Sequence, residues 1–259
     1  MPLSDARRRL VRRLHRRKAR EREGLVLVEG VRAVTEALQC GAAIRFVLRS
    51  PRVDPLWTTA LDDALRSAGV TAETISDAEM TALAGTETPQ GVLAVFEEPA
   101  VMVAAIWGGD TPRVLVLDGI QDPGNAGTLV RVAAAFRCTG VVALEGTTDL
   151  WGTRAVRASV GTTFRLPVVH CPWSVVASEL LVRSVSLLVA DAGGSPVGAE
   201  ALGTGWALAV GGEGSGCREA VRARADAVVS VPMPGGVESL NVGVAGAILL
   251  YELTREKGA

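Results

Sequence analysis

The last thirty residues of this 259-residue chain narrow its possible folds more than any other stretch. An apolar run from Ala227 to Val231 meets Pro232-Met233-Pro234-Gly235-Gly236 and then enters a long apolar segment. The run reads as a buried strand. The prolines end it, because each fixes φ and lacks an N–H to donate. The glycine pair lets backbone come close to another group. The helix predicted over 238–255 is apolar nearly all round, through Leu240, Val242, Val244, Ala245, Ile248, Leu249 and Leu250. Such a helix belongs in a core or against a partner subunit. Ser239 and Asn241 place polar groups where a packing helix would take none, so the segment reads as a ligand-binding loop feeding a buried helix.

The same strand-then-helix alternation runs through the rest of the chain. A helix is predicted over 4–23, capped by Ser4 or Asp5, with a thin apolar stripe of Leu3, Leu10, Val11 and Leu14. Strands at 24–30, 44–49, 71–75 and 91–96 alternate with helices at 31–39, 58–68 and 77–84, which makes a small α/β domain over 1–98. Residues 99–112, with Gly108-Gly109-Asp110 and Pro112, read as a linker. A second domain over 113–259 repeats apolar strands at 114–117, 140–144, 164–169, 185–190, 206–210 and 227–231, separated by helical segments. That pattern predicts a parallel sheet covered on both faces.

Charge is distributed unevenly. The net charge is −1, yet residues 1–24 hold ten Lys or Arg against three Asp or Glu. A basic arm on an acidic body points to a polyanionic partner. All the cations except Lys18 and Lys257 are arginine, whose planar fork suits phosphate. Cys40, Cys138, Cys171 and Cys217 are scattered without a CxxC pair, and the histidines are only His15 and His170. Neither a zinc site nor a disulfide framework is expected, and the cysteines read as small buried residues. No apolar run is long enough for a membrane span, and the arginine-rich start lacks the apolar stretch of a secretory signal, so a cytoplasmic location is expected.

Three predicted strand ends carry unusual chemistry, and ligands of parallel α/β sheets bind beyond such ends. The first runs from Asp118 through Asn125 to Arg131. Asn125 can cap the following helix, and Arg131, nearly two turns on, is expected on roughly the same face. An arginine among Leu129, Val130, Val132 and Ala133 is expected to be partly buried and to need an anionic partner. The second is Gly211-Gly212-Glu213-Gly214-Ser215-Gly216, where the glycines are expected to let a ligand rest on backbone and Glu213 is the candidate partner of Arg131. The third is the 231–245 segment. A dinucleotide-binding oxidoreductase is disfavoured, because the glycine spacing is not G-x-G-x-x-G and no acidic residue closes the next strand. A Walker lysine is absent as well.

Together the three loops resemble the signature motifs of the SpoU/TrmH family of RNA 2′-O-ribose methyltransferases, part of the SPOUT superfamily. The matching pieces are Asn125 to Arg131, Gly211-Gly212-Glu213-Gly214, and Pro232 to Val242 with its Ser239-Leu240-Asn241-Val242 end. Residues 24–30 and 90–95 are similar, less specifically, to the substrate-binding domain of several members. The resemblance implies a carboxyl-terminal trefoil-knotted methyltransferase domain beside a smaller amino-terminal α/β RNA-binding domain. It implies S-adenosylmethionine as methyl donor, an RNA ribose 2′-hydroxyl as acceptor, and a homodimer, and no metal is expected from the scattered cysteines and two histidines. Gly211, Gly212, Val231, Met233, Gly235 and Leu240 match cofactor-binding positions. Arg131, Asn125, Glu213, Ser239 and Asn241 match the polar catalytic set, in which Arg131, oriented by Asn125 and Glu213, is expected to favour alkoxide character at the hydroxyl. Ribosomal RNA is the preferred substrate class. Transfer RNA, and a non-catalytic ribosome-assembly factor on the same fold, are the alternatives.

Overall fold

The computed structural model describes residues 3–197 and 205–255, so Lys257 and the first two residues of the basic arm lie outside the description. The chain divides into two compact units.

The first unit holds a four-stranded sheet. Helices α1 (Asp5–Leu14) and α2 (Arg17–Glu23) precede β1 (Leu25–Glu29), α3 (Val31–Gln39), β2 (Ile44–Arg49), α4 (Pro55–Ser67), β3 (Ala72–Thr74), α5 (Asp77–Leu83) and β4 (Val92–Glu97). Strand order is β1-β4-β2-β3, with β4 antiparallel to both neighbours and β2 parallel to β3. Side chains alternate across a strand, so each strand feeds two faces. Leu27, Leu48, Leu93 and Val95 pack with Val11, Leu14, Met80 and Leu83 on one face. The other face carries Phe96, which is fully buried beside Phe164, itself packed edge-on against Trp151.

Those two aromatics explain a departure from the domain boundaries read in the sequence. The first unit comprises Met1–Ala100 together with Trp151–Arg165, a segment that contains α8 (Thr153–Ala158) and a 3₁₀ turn at Thr162–Phe164. A β-carbon on Gly161 would lie 2.6 Å from the Ala33 carbonyl oxygen, so only glycine lets this segment lie against α3. Arg165 pairs with Glu36 of the same helix.

The predicted helix over 4–23 is two helices. His15 leaves the helix to bond the Leu83 carbonyl (2.8 Å), and the buried Arg20 guanidinium folds back onto the Leu14 carbonyl (2.8 Å). Tertiary partners for these two side chains outweigh helix continuity.

The second unit comprises Val101–Leu150 and Leu166–Ala259. In chain order it holds α6 (Val103–Ile106), β5 (Arg113–Asp118), α7 (Pro123–Ala135), β6 (Gly140–Ala143), β7 (Val168–His170), α9 (Trp173–Arg183), β8 (Ser186–Pro196), β9 (Trp206–Gly211), α10 (Glu219–Arg222), β10 (Ala227–Ser230) and α11 (Val242–Thr254). Its six strands are all parallel, in the order β10-β8-β9-β5-β6-β7. One face packs Val114, Val116, Leu187, Val189, Ala207 and Ala209 against Val176, Leu180, Val221, Ile106 and Trp107. The sequence assigned Ile106 and Trp107 to a linker, but both are buried core residues here. On the other face α7 meets α11, where a β-carbon at Gly246 would lie 2.4 Å from Leu129 Cδ2.

The last helix starts at Val242 rather than 238, because Asn241 caps it: its Oδ1 accepts from Gly243 N (2.9 Å) and Val244 N (3.3 Å). It is not wholly buried, since Val244 and Tyr251 are about half exposed. No helix among the described residues is long and apolar enough to cross a membrane.

Candidate active site

The carboxyl end of β9 is where the sheet becomes a site. Gly211 and Gly212 also serve the packing of the loop itself. A β-carbon at Gly211 would stand 2.0 Å from the Gly216 carbonyl carbon, and one at Gly212 would stand 2.6 Å from the Gly119 oxygen. The pair lets backbone pack on backbone. Gly212 N donates to Asp118 O (2.9 Å), and Gly216 N donates to Gly212 O (2.9 Å), which closes the loop. Gly214 is different. It has φ +86°, and a β-carbon there would meet nothing within 4 Å, so it leaves open space over the loop.

An ion pair on a buried carboxylate pins this loop to the sheet. Asp118, at the end of β5, is almost fully buried and takes Arg218 N (2.7 Å) and Arg218 Nε (2.6 Å) on its two oxygens. The same guanidinium also reaches Glu145 (3.2 Å). Full pairing is what makes a buried carboxylate tolerable.

Asn125 sits in the first turn of α7 without capping it. Asp122 is the cap, accepting from Asn125 N (2.8 Å), with Pro123 opening the helix. The Asn125 side chain is therefore free to turn toward the other loops. Its Nδ2 donates to Glu213 Oε1, and its Oδ1 accepts from Asn241 Nδ2 (3.0 Å). The capping bonds of Asn241 fix which of its amide atoms faces Asn125. One chain of hydrogen bonds thus runs from the start of α11 through Asn241 and Asn125 to Glu213, linking all three sequence motifs. Glu213 Oε2 makes no hydrogen bond among the described residues.

Beside this chain lies a cavity of about 550 Å³. Its wall includes Gly211, Gly212, Glu213, Val231, Met233, Ser239, Leu240 and Asn241. Gly235 lies on the same loop but does not line it, and Asn125 reaches it only through Glu213 and Asn241. The sequence reading missed Asp191 and the apolar Ala245 and Leu249, which also line it. Helical spacing in α11 could have flagged the last two, but nothing in the sequence marks Asp191.

Arg131 departs from its expectation. It is exposed, it does not line the cavity, and Glu213 bonds Asn125 instead of pairing with it. Six residues of α-helix rotate about 240°, which leaves Arg131 about 120° away from Asn125 around α7. It falls on the exposed stripe of Gly124, Thr128 and Ala135.

The described residues contain no group of three or more His, Cys, Asp or Glu able to hold a metal. The free thiols sit where burial, above all, pushes them up, Cys138 and Cys217 to about 12 and Cys171 to about 11. Cys40 and Cys171 are only half-buried, against the expectation for all four.

The chain is similar to known proteins over most of its length. Residues 112–251 match the SpoU rRNA Methylase family, and residues 7–94 match the MRM3-like substrate binding domain. The 23S rRNA (guanosine(2553)-2′-O)-methyltransferase RlmP of Bacillus subtilis is 33% identical over 243 residues, which is 93% of each chain. The 23S rRNA (guanosine-2′-O-)-methyltransferase RlmB of Xanthomonas campestris is 31% identical over 247 residues, 89% of this chain and 96% of the relative. The SpoU methyltransferase AviRb from Streptomyces viridochromogenes, solved with AdoMet, superposes with a TM-score of 0.83 at 27% identity over 97% of each chain.

Proposed function

The chain belongs to the SpoU rRNA Methylase family, and from that premise we propose that it moves a methyl group from S-adenosylmethionine to a ribose 2′-hydroxyl of RNA, with ribosomal RNA as the substrate class. The observation that carries this reading is the junction of the three loops. A cavity of about 550 Å³ opens at strand ends, next to one hydrogen-bonded chain of Asn241, Asn125 and Glu213. Its size lies in the range of small-molecule sites. Apolar Val210, Leu240 and Leu249 suit a flat base, Gly214 leaves room, and the carboxylate of Glu213 suits a cationic ligand.

Bound there, S-adenosylmethionine supplies an electrophilic methyl on a leaving group that departs neutral. The protein's task is to present the ribose oxygen in line and to stabilise charge that develops on it. Asn241 and Asn125 hold the Glu213 carboxylate in place, and Glu213 Oε2 remains to receive a hydrogen bond. Ser239, exposed on the cavity wall, offers a further hydroxyl toward the acceptor.

Arg131 acts, in this reading, in the cavity of a second copy within a homodimer. Support comes from its exposure on α7 and from apolar side chains left uncovered on and before α11: Val237, Val244 and Tyr251. The carboxyl-terminal domain is read as trefoil-knotted, and the enzyme as cytoplasmic and metal-free. The first unit grips the RNA.

The test is transfer of a labelled methyl group to purified ribosomal and transfer RNA, followed by nucleoside analysis. A 2′-O-methylnucleoside in ribosomal RNA is the expected product. Label on a base, or no transfer at all with intact bound cofactor, would reject the reading. Label confined to transfer RNA would move the substrate class.

A further inference from the structure

One wall of the cavity is built by an interruption in the sheet. Strand β10 pairs Val228 with Val189 of β8 and then Val229 with Ser195, so residues 190–194 bow out of the ladder. Such bulges re-aim side chains beside sites. Two bonds anchor the bow: Ser230 Oγ donates to Gly194 O (2.9 Å), and Gly193 N donates to Asp191 Oδ1 (2.9 Å). A β-carbon at Gly194 would lie 2.7 Å from Val228 O, so the bow closes tightly onto β10. Ala190, Asp191 and Ala192 line the cavity from it.

Asp191 is held in place. Its Oδ2 accepts from the Arg222 guanidinium of α10 (2.7 Å), and the pair sits on the glycine turn, where a β-carbon at Gly216 would meet both side chains within 4 Å. The Gly193 N–H first, and then Arg222, hold its carboxyl below the usual range. A carboxylate offers about four acceptor directions, so each oxygen keeps one that these bonds do not use.

We propose that Asp191 is the subsite for the ribose of S-adenosylmethionine, accepting its 2′- and 3′-hydroxyls on the two unused directions, with Arg222 as the positioning residue. The inference rests on the function proposed above. The chemistry favours a neutral diol over the cofactor's ammonium. Arg222 already balances the Asp191 charge, so a further cation gains little, whereas two hydroxyls gain charge-assisted hydrogen bonds. Placement agrees. β8 flanks β9 on the side opposite β5, and α7 with Asn125 follows β5. Strand spacing sets β8 and β5 roughly 10 Å apart. The ribose can therefore lie at one end of the cavity while the reacting methyl lies at the other.

Titration calorimetry of the full chain with S-adenosylhomocysteine, its 2′,3′-dideoxy counterpart and its des-amino counterpart tests this. The wild type should bind the parent about 10- to 100-fold more tightly than the dideoxy compound. Asp191→Asn should bring the parent down to the dideoxy level and erase the difference between them. Arg222→Gln should weaken the parent by a smaller factor and keep the preference. Equal binding of parent and dideoxy compound by the wild type overturns the proposal, whether or not the variants fold. So does an Asp191→Asn protein that still prefers the diol, or one that loses discrimination only against the des-amino compound. A wild type that binds none of the three overturns the methyltransferase reading itself.

Discussion

A carbon added at residue 211 would land 2.0 Å from one backbone atom and 2.1 Å from another, while one added at residue 235 would meet nothing within 4 Å. The two positions look alike in the sequence, each a glycine in a motif, yet they carry opposite predictions. Gly211→Ala should destabilise the protein by about 3 kcal/mol or more, since backbone cannot move aside as a flexible side chain can. At roughly 2–4 °C per kcal/mol, that lowers the melting temperature by about 6–12 °C. Gly235→Ala should change stability by less than about 0.5 kcal/mol. Paired thermal melts check both, and equal melting temperatures for Gly211→Ala and wild type would show the loop to be looser than described. At this scale Glu213 and Asn241 stand out in the sequence as polar residues among glycines and apolar residues, and both line the cavity, though Glu213 bonds Asn125 rather than Arg131. The sequence could not carry the Asp118–Arg218 pair, whose members are a hundred residues apart. It placed Arg131 partly buried beside Glu213, because an arginine among apolar helix residues asks for an anionic partner, whereas the residue is exposed and Glu213 bonds Asn125.

Among the elements, α1 and α2 separate structural cations from available ones. Arg7 and Arg8 are committed to Glu73 and Glu79, and Arg13 and Arg22 to Glu23. The side chains of Arg9, Arg12, Arg16 and Lys18 are exposed and carry no such commitment among the described residues. The proposed grip on RNA therefore belongs to these four. Replacing them together with alanine should leave the fold intact, weaken RNA binding, and make the slope of log K against log salt shallower by about 3. An RNA titration at several salt concentrations measures it, and an unchanged slope removes the four residues from the interface. Replacing Arg8 should instead cost stability, since it joins α1 to α5. The strand and helix pattern was legible because both units bury apolar strands of ordinary length. Helix ends were less so: the break after Leu14 depends on a carbonyl of α5, and the start of α11 on a side chain that also serves the site.

At the scale of the whole molecule, the dimer reading has a direct test. If Arg131 serves a second copy, a mixture of Arg131→Ala and Glu213→Ala subunits must recover activity that neither variant has alone. Each mixed dimer has one cavity with its own Glu213 and the other subunit's arginine. Random pairing should restore about a quarter of the wild-type sites. No recovery in a mixture shown to exchange subunits would assign Arg131 to its own chain. The division into two units was visible in the sequence, but the reach of the first unit into Trp151–Arg165 was not. Trp151 and Phe164 announce burial without saying against what. Their position has a consequence for synthesis. The sheet face bearing Phe96 lacks these two covering rings until translation has passed residue 164. A nascent chain released at Ala100 would expose that face to water. The chain of the amino-terminal unit is therefore complete only once β5 and β6 of the second unit have been synthesised.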